Sequence, residues 1–231
     1  MIISAIRQIL SGYTMDLSVL VAQLLSVLFV IIFILPLHEF AHGFIAVKLG
    51  DDTPKWDKRL TLNPLASLDP FGSLALLLFG FGWAKPVQVN PRNFKNPKRD
   101  MAIVALAGPL SNLLAAMVGM LIFMPFILFA PYNEFTLFLV YFFEYYIIVN
   151  IGLAVFNLIP IPPLDGSKIL MAFLSDKILR YYFQYQQIIT MVLFVVLFTG
   201  VLSTPLNYLE NLIFNGMYDL AALPYRLLGV Y

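Results

Sequence analysis

Of the 231 residues, 61% are hydrophobic and only 12% are charged, against about 25% charged in ordinary globular proteins. The net charge of +1 offers no concentrated basic face for nucleic acid, and the absence of cysteine excludes disulfides, thiolate metal sites and a cysteine nucleophile. Imidazole and carboxylate are left as the natural ligands for a metal such as zinc.

The chain opens with Ile2, Ile3, Ile6, Ile9 and Leu10, the spacing of an amphipathic helix over Met1–Tyr13 that lies along an interface. It is expected to stay in the mature protein, because no small-residue cleavage site follows it. Residues 17–37 carry no charge and reach the roughly 20 residues that cross a bilayer core. This first span is expected to run over 17–49, with Gly50 as its stop.

At the end of the apolar run stands His38-Glu39-Phe40-Ala41-His42, which holds both histidines of the chain. In a helix, positions 38 and 42 lie one turn apart on one face, so two imidazoles can hold one Zn²⁺ with Glu39 beside it as a base. His38 lies about 15 Å from Lys48 along that helix, which puts the motif below the membrane surface. Pro36 lacks an N–H and so removes a backbone bond just before the motif, where the helix could open to water or to a backbone partner.

Residues 51–99 form the main non-spanning region, with several prolines and, counting Lys48, nine basic residues. Phe71 to Trp83 is short and broken by glycine, the pattern of a re-entrant or interfacial hairpin. Residues 85–91 read as a short strand whose edge can pair with a peptide, or as a plain surface loop. The second span is expected over 101–130. It contains Gly108-Pro109-Leu110-Ser111-Asn112 and a close-packing face of Ala115, Ala116 and Gly119.

The third span covers 135–158 and carries Glu144, which is either a functional carboxyl within the membrane or a glutamate near the outer interface. Pro160, Pro162 and Pro163 then unwind the chain and present Asp165 on irregular backbone. A short helix with Lys168, Lys177 and Arg180 precedes a fourth span over 181–204, and a final amphipathic helix is marked by Leu206, Leu209, Ile213 and Met217. The fold class is therefore an all-α membrane protein of about four spans, a single domain over 1–231. Twelve of the 14 Lys and Arg residues fall on one side of that topology, which puts the metal motif toward the cytoplasm and both termini outside.

Catalytic zinc sites generally take three protein ligands and keep a fourth position open, so two histidines need a partner. Asp165 shares their end of the bundle and is the best candidate; Asp69 and Asp100 are weaker ones. Zinc would lower the pKa of its water toward about 7 and polarise a peptide carbonyl, with Glu39 moving the proton to the leaving amine. Asn112 and Asn157 are candidates to hydrogen-bond a substrate backbone or oxyanion, or else to brace helix contacts.

These residues resemble the site-2 proteases, zinc metalloproteases that cut membrane-embedded proteins. The likeness rests on His38 to His42, on Gly108 to Asn112 and on Asn157 through Leu164-Asp165-Gly166, and it covers nearly the whole chain. It implies His38, His42 and Asp165 as zinc ligands, Glu39 as base, and a substrate role for Asn112 and Asn157. Thr61-Leu62-Asn63-Pro64, Leu68-Asp69-Pro70-Phe71-Gly72 and Gly82-Trp83-Ala84-Lys85-Pro86 are similar to the compact bacterial and archaeal branch, without appended PDZ or CBS nucleotide-sensing domains. Ser67 departs from that branch, many of whose members have histidine there. The implied setting is a prokaryotic cell membrane, and the implied partners are the bilayer and a transmembrane protein or peptide substrate. A metal-transporting channel and a catalytically silent relative are the rival readings, and neither needs a base beside the metal.

Overall fold

The computed structural model describes residues 16–79 and 82–230. The amphipathic helix expected over Met1–Tyr13 lies outside the described residues. Among the described residues, three helices are long and apolar enough to cross a membrane: α1 Leu17–Lys48, α5 Pro97–Phe129 and α6 Glu134–Asn157. Between α1 and α5 lie the short helices α2 Thr53–Trp56, α3 Pro64–Ser67 and α4 Pro70–Phe79. After α6 come α7 Asp165–Met171, α8 Asp176–Gln184, α9 Gln186–Thr199 and α10 Ser203–Leu227.

Helix α1 starts on Asp16, whose carboxylate accepts from the Ser18 N–H at 2.9 Å and so satisfies an orphan donor of the first turn. Its 32 residues extend about 48 Å, well beyond a hydrocarbon core of about 30 Å. Pro36 does not open it. A π-helical turn over Val30–Ile34 comes first, in which the Leu35 N–H reaches back five residues to the Val30 carbonyl. The register shift sits where the proline's missing N–H would otherwise break the ladder, and the helix runs on.

The core forms where α1, α5 and α6 meet, around Val27, Val30, Ile34, Ala116, Met120, Ile147 and Ile151. Lipid tails are as apolar as these side chains, so the helices are held by close van der Waals fit more than by exclusion from water. The small residues Ala115 and Ala116 are buried in this contact, and the Tyr146 hydroxyl donates to the Ala115 carbonyl at 3.2 Å.

The structure differs from the sequence expectations in two further places. No strand forms over 85–91 among the described residues. The N–H groups of that segment go instead to partners across the fold: Lys85 to the Ser67 carbonyl at 2.8 Å, Val87 to the Glu39 carboxylate at 2.7 Å, and Asn90 to the Asp51 carboxylate at 2.7 Å. The second difference is the span expected over 181–204. Its helix turns at Tyr185 and ends at Gly200, so α9 has 14 residues and reaches about 21 Å. The closing amphipathic segment forms α10, of 25 residues.

Candidate metal centre

His38 and His42 lie on the buried face of α1, and Asp165 opens α7, where a carboxylate is favoured by the helix dipole. The proline-broken passage from α6 brings Asp165 under the end of α6. A Cβ on Gly166 would stand 2.2 Å from the Leu158 carbonyl oxygen, so only glycine permits this approach. The result is a triangle of ligand atoms. His38 Nε2 is 3.1 Å from His42 Nε2, and Asp165 Oδ2 is 3.2 Å from the first and 3.1 Å from the second. All three side chains are buried.

Each imidazole has its other nitrogen committed. His42 Nδ1 is 2.7 Å from the Val104 carbonyl oxygen, and His38 Nδ1 is 3.4 Å from Asn112 Oδ1. Both partners are pure acceptors, so each Nδ1 carries the proton and donates. Both Nε2 atoms then present lone pairs, and the carboxylate oxygen brings another. Three acceptors this close repel one another unless a cation lies between them. Two donors at about 2.0–2.1 Å from a tetrahedral zinc stand about 3.3–3.4 Å apart, close to the observed edges, so these residues fit zinc.

The back of the site is helix α5 at Gly108. A Cβ there would lie 2.3 Å from His42 Nε2 and 2.6 Å from His38 Nε2. Glycine therefore lets the α5 backbone close one side of the triangle. On the other side is a cavity of about 510 Å³ lined by His38, Glu39, His42, Asn157, Asp165 and Lys168 among the polar groups. Leu153, Phe156, Leu193, Phe194 and Leu197 give it apolar walls. Glu39 is buried, and its carboxylate accepts from the Val87 N–H.

The two asparagines are placed differently. Asn157 lines the cavity while its amide donates to the Leu153 carbonyl at 2.9 Å. Asn112 is fully buried, and its Nδ2 has no partner among the described residues. It meets the site through His38. Asp69 and Asp100 are committed to helix starts, Asp69 accepting from the Gly72 N–H at 2.8 Å and Asp100 from the Asn96 N–H at 3.0 Å. Neither belongs to the ligand cluster, and nor does Glu144. The residues that sequence reasoning missed are Val104 and Lys168. Val104 acts through a backbone carbonyl, which leaves no mark in the sequence, whereas Lys168 stands three positions after Asp165 and so could have been paired with it by helical spacing.

Residues 127–200 match the profile of Peptidase family M50. YwhC of Bacillus subtilis is 46% identical over 139 residues, covering 58% of this chain and 62% of that protein. MJ0611 of Methanocaldococcus jannaschii is 33% identical over 136 residues, again covering 58% and 62%. Rip2 of Mycobacterium tuberculosis is 32% identical over 197 residues, covering 83% of this chain and 72% of that protein. All three carry the name "putative zinc metalloprotease". The chain thus spans about 62% of the length of the first two relatives. No solved structure gives a significant match.

Proposed function

The chain belongs to peptidase family M50, the site-2 proteases, and on that premise we propose that it is an intramembrane zinc metalloprotease that hydrolyses peptide bonds of membrane-embedded substrates. The observation that carries this reading is the lone-pair triangle of His38, His42 and Asp165, walled by Gly108 and opening beside Glu39 into an apolar cavity. Zinc held by these three residues supplies Lewis acidity, polarising a peptide carbonyl and lowering the pKa of a water molecule toward about 7.

Glu39 takes a proton from the attacking water and passes it to the leaving amine. Its carboxylate is buried, so little bulk water competes for the proton. Val104 and Asn112 hold the imidazole tautomers that aim Nε2 at the ion. Asn157, at the cavity wall, donates to the substrate backbone once its amide leaves the Leu153 carbonyl. The apolar walls suit a segment of substrate helix that has unwound locally.

The proposed topology has four spans, α9 completing the bundle after α1, α5 and α6, with the 51–99 region and α7 facing the cytoplasm. The excess of Lys and Arg on that side supports it. Activity is tested with a membrane-embedded reporter peptide, comparing the wild type with Glu39→Gln. Loss of cleavage with zinc retained supports the protease reading, and undiminished cleavage in Glu39→Gln overturns it.

A further inference from the structure

The Asp165 carboxylate divides its two oxygens between different partners. Oδ2 meets both imidazoles, at 3.2 and 3.1 Å, while Oδ1 accepts from Lys168 Nζ at 2.9 Å. Lys168 follows Asp165 by three positions on α7, so the contact lies within one helical turn. Its side chain is 35% exposed at the cavity wall, whereas that of Asp165 is 8% exposed. The pair joins a buried carboxylate to a partly exposed ammonium and so offsets part of the cost of burying that charge. Its distinctive consequence falls on the ligand.

We propose that Lys168 is a positioning residue of the metal centre, which by occupying Oδ1 makes Asp165 a ligand through Oδ2 alone. This rests on the zinc reading given above. A carboxylate can offer an ion one oxygen or both, and a catalytic site must keep one position open. An ammonium is a compact charge with three donors. Fixed on Oδ1, it keeps that oxygen from turning to the ion and filling the open position. Lys168 thereby acts through Asp165 and touches neither the ion nor the scissile bond.

The test uses the full chain in detergent as wild type, Lys168→Met and Lys168→Arg, each stripped of metal and reloaded with Co²⁺. Four-coordinate cobalt absorbs visible light far more strongly than five- or six-coordinate cobalt. Lys168→Met is expected to bind one cobalt and lose most of the visible band intensity, while Lys168→Arg keeps the wild-type spectrum. A purely structural ion pair would shift the melting temperature of the metal-free protein without altering this spectrum. Loss of cobalt in Lys168→Met overturns the proposal, since a carboxylate freed to offer both oxygens would keep the ion. A wild-type spectrum in Lys168→Met overturns it, and so does loss of cobalt in both variants. Failure of the wild type to bind cobalt sinks the metal reading along with it.

Discussion

Replacing Gly108 by alanine puts one methyl group into the ligand triangle from behind. The new Cβ would lie 2.3 Å from His42 Nε2 and 2.6 Å from both Nε2 and Cε1 of His38, where ordinary contact begins at 3.4 Å. Either helix α5 or the two imidazoles must give way by about 1 Å. Metal geometry tolerates deviations of only about 0.2 Å, so the binding site suffers far more than the fold does. Overpacking of this size costs the fold about 1–3 kcal/mol. Zinc affinity should fall by at least the roughly 10–100-fold seen when the supports of metal ligands are lost. The assay is zinc competition against a chelator on purified protein, with helicity by circular dichroism as the check on folding. A helical Gly108→Ala protein that binds zinc as tightly as the wild type would refute the placement of Gly108 against the ligand atoms.

Asp165→Ala removes one corner of the triangle and should leave substoichiometric zinc by elemental analysis, whereas full zinc content would move the third ligand elsewhere. Asp51, just past the end of α1, gives a pH prediction. It is fully buried, which pushes its carboxyl up, but donors from Thr53, Asn90 and Asn93 outweigh that and hold it below the ordinary value of 3.8. A folded-state pKa below the unfolded one stabilises above the unfolded value and is lost as pH falls through the folded value. Anchorage of residues 90–93 should therefore be full near neutrality and weaken below about pH 4. Hydrogen exchange of this segment in metal-free protein, corrected for intrinsic rate, should rise there, and Asp51→Asn should raise it already at pH 7. A flat profile in both proteins would contradict the assignment.

The parts of the site that follow helical arithmetic were readable in the sequence. His38 and His42 share a face because they are four residues apart, and Asp165 could be placed at their end by counting spans and basic residues. Other parts depend on how helices cross. The partner of His42 is the Val104 carbonyl, and Gly108 backs both rings. Neither feature can be derived from spacing within one segment, although the small residues of α5 did mark a face for close packing. The strand expected over 85–91 failed for a related reason. Its residue types favour extended backbone, but the carboxylates of Glu39 and Asp51 take N–H groups that a neighbouring strand would need. Pro36 was misleading because the π-helical turn that accommodates it has no signature of its own.

The most direct test of the account measures zinc content and cleavage together in the wild type and in Glu39→Gln, with one membrane-embedded reporter peptide for both. The side chain of Glu39 is not a corner of the triangle, and glutamine has almost the same shape but cannot accept the proton. The account predicts about one zinc per chain in both proteins, cleavage by the wild type, and a loss of rate in Glu39→Gln of at least the roughly 10²–10⁴-fold typical of a general base. Cleavage at the wild-type rate by zinc-loaded Glu39→Gln would contradict it.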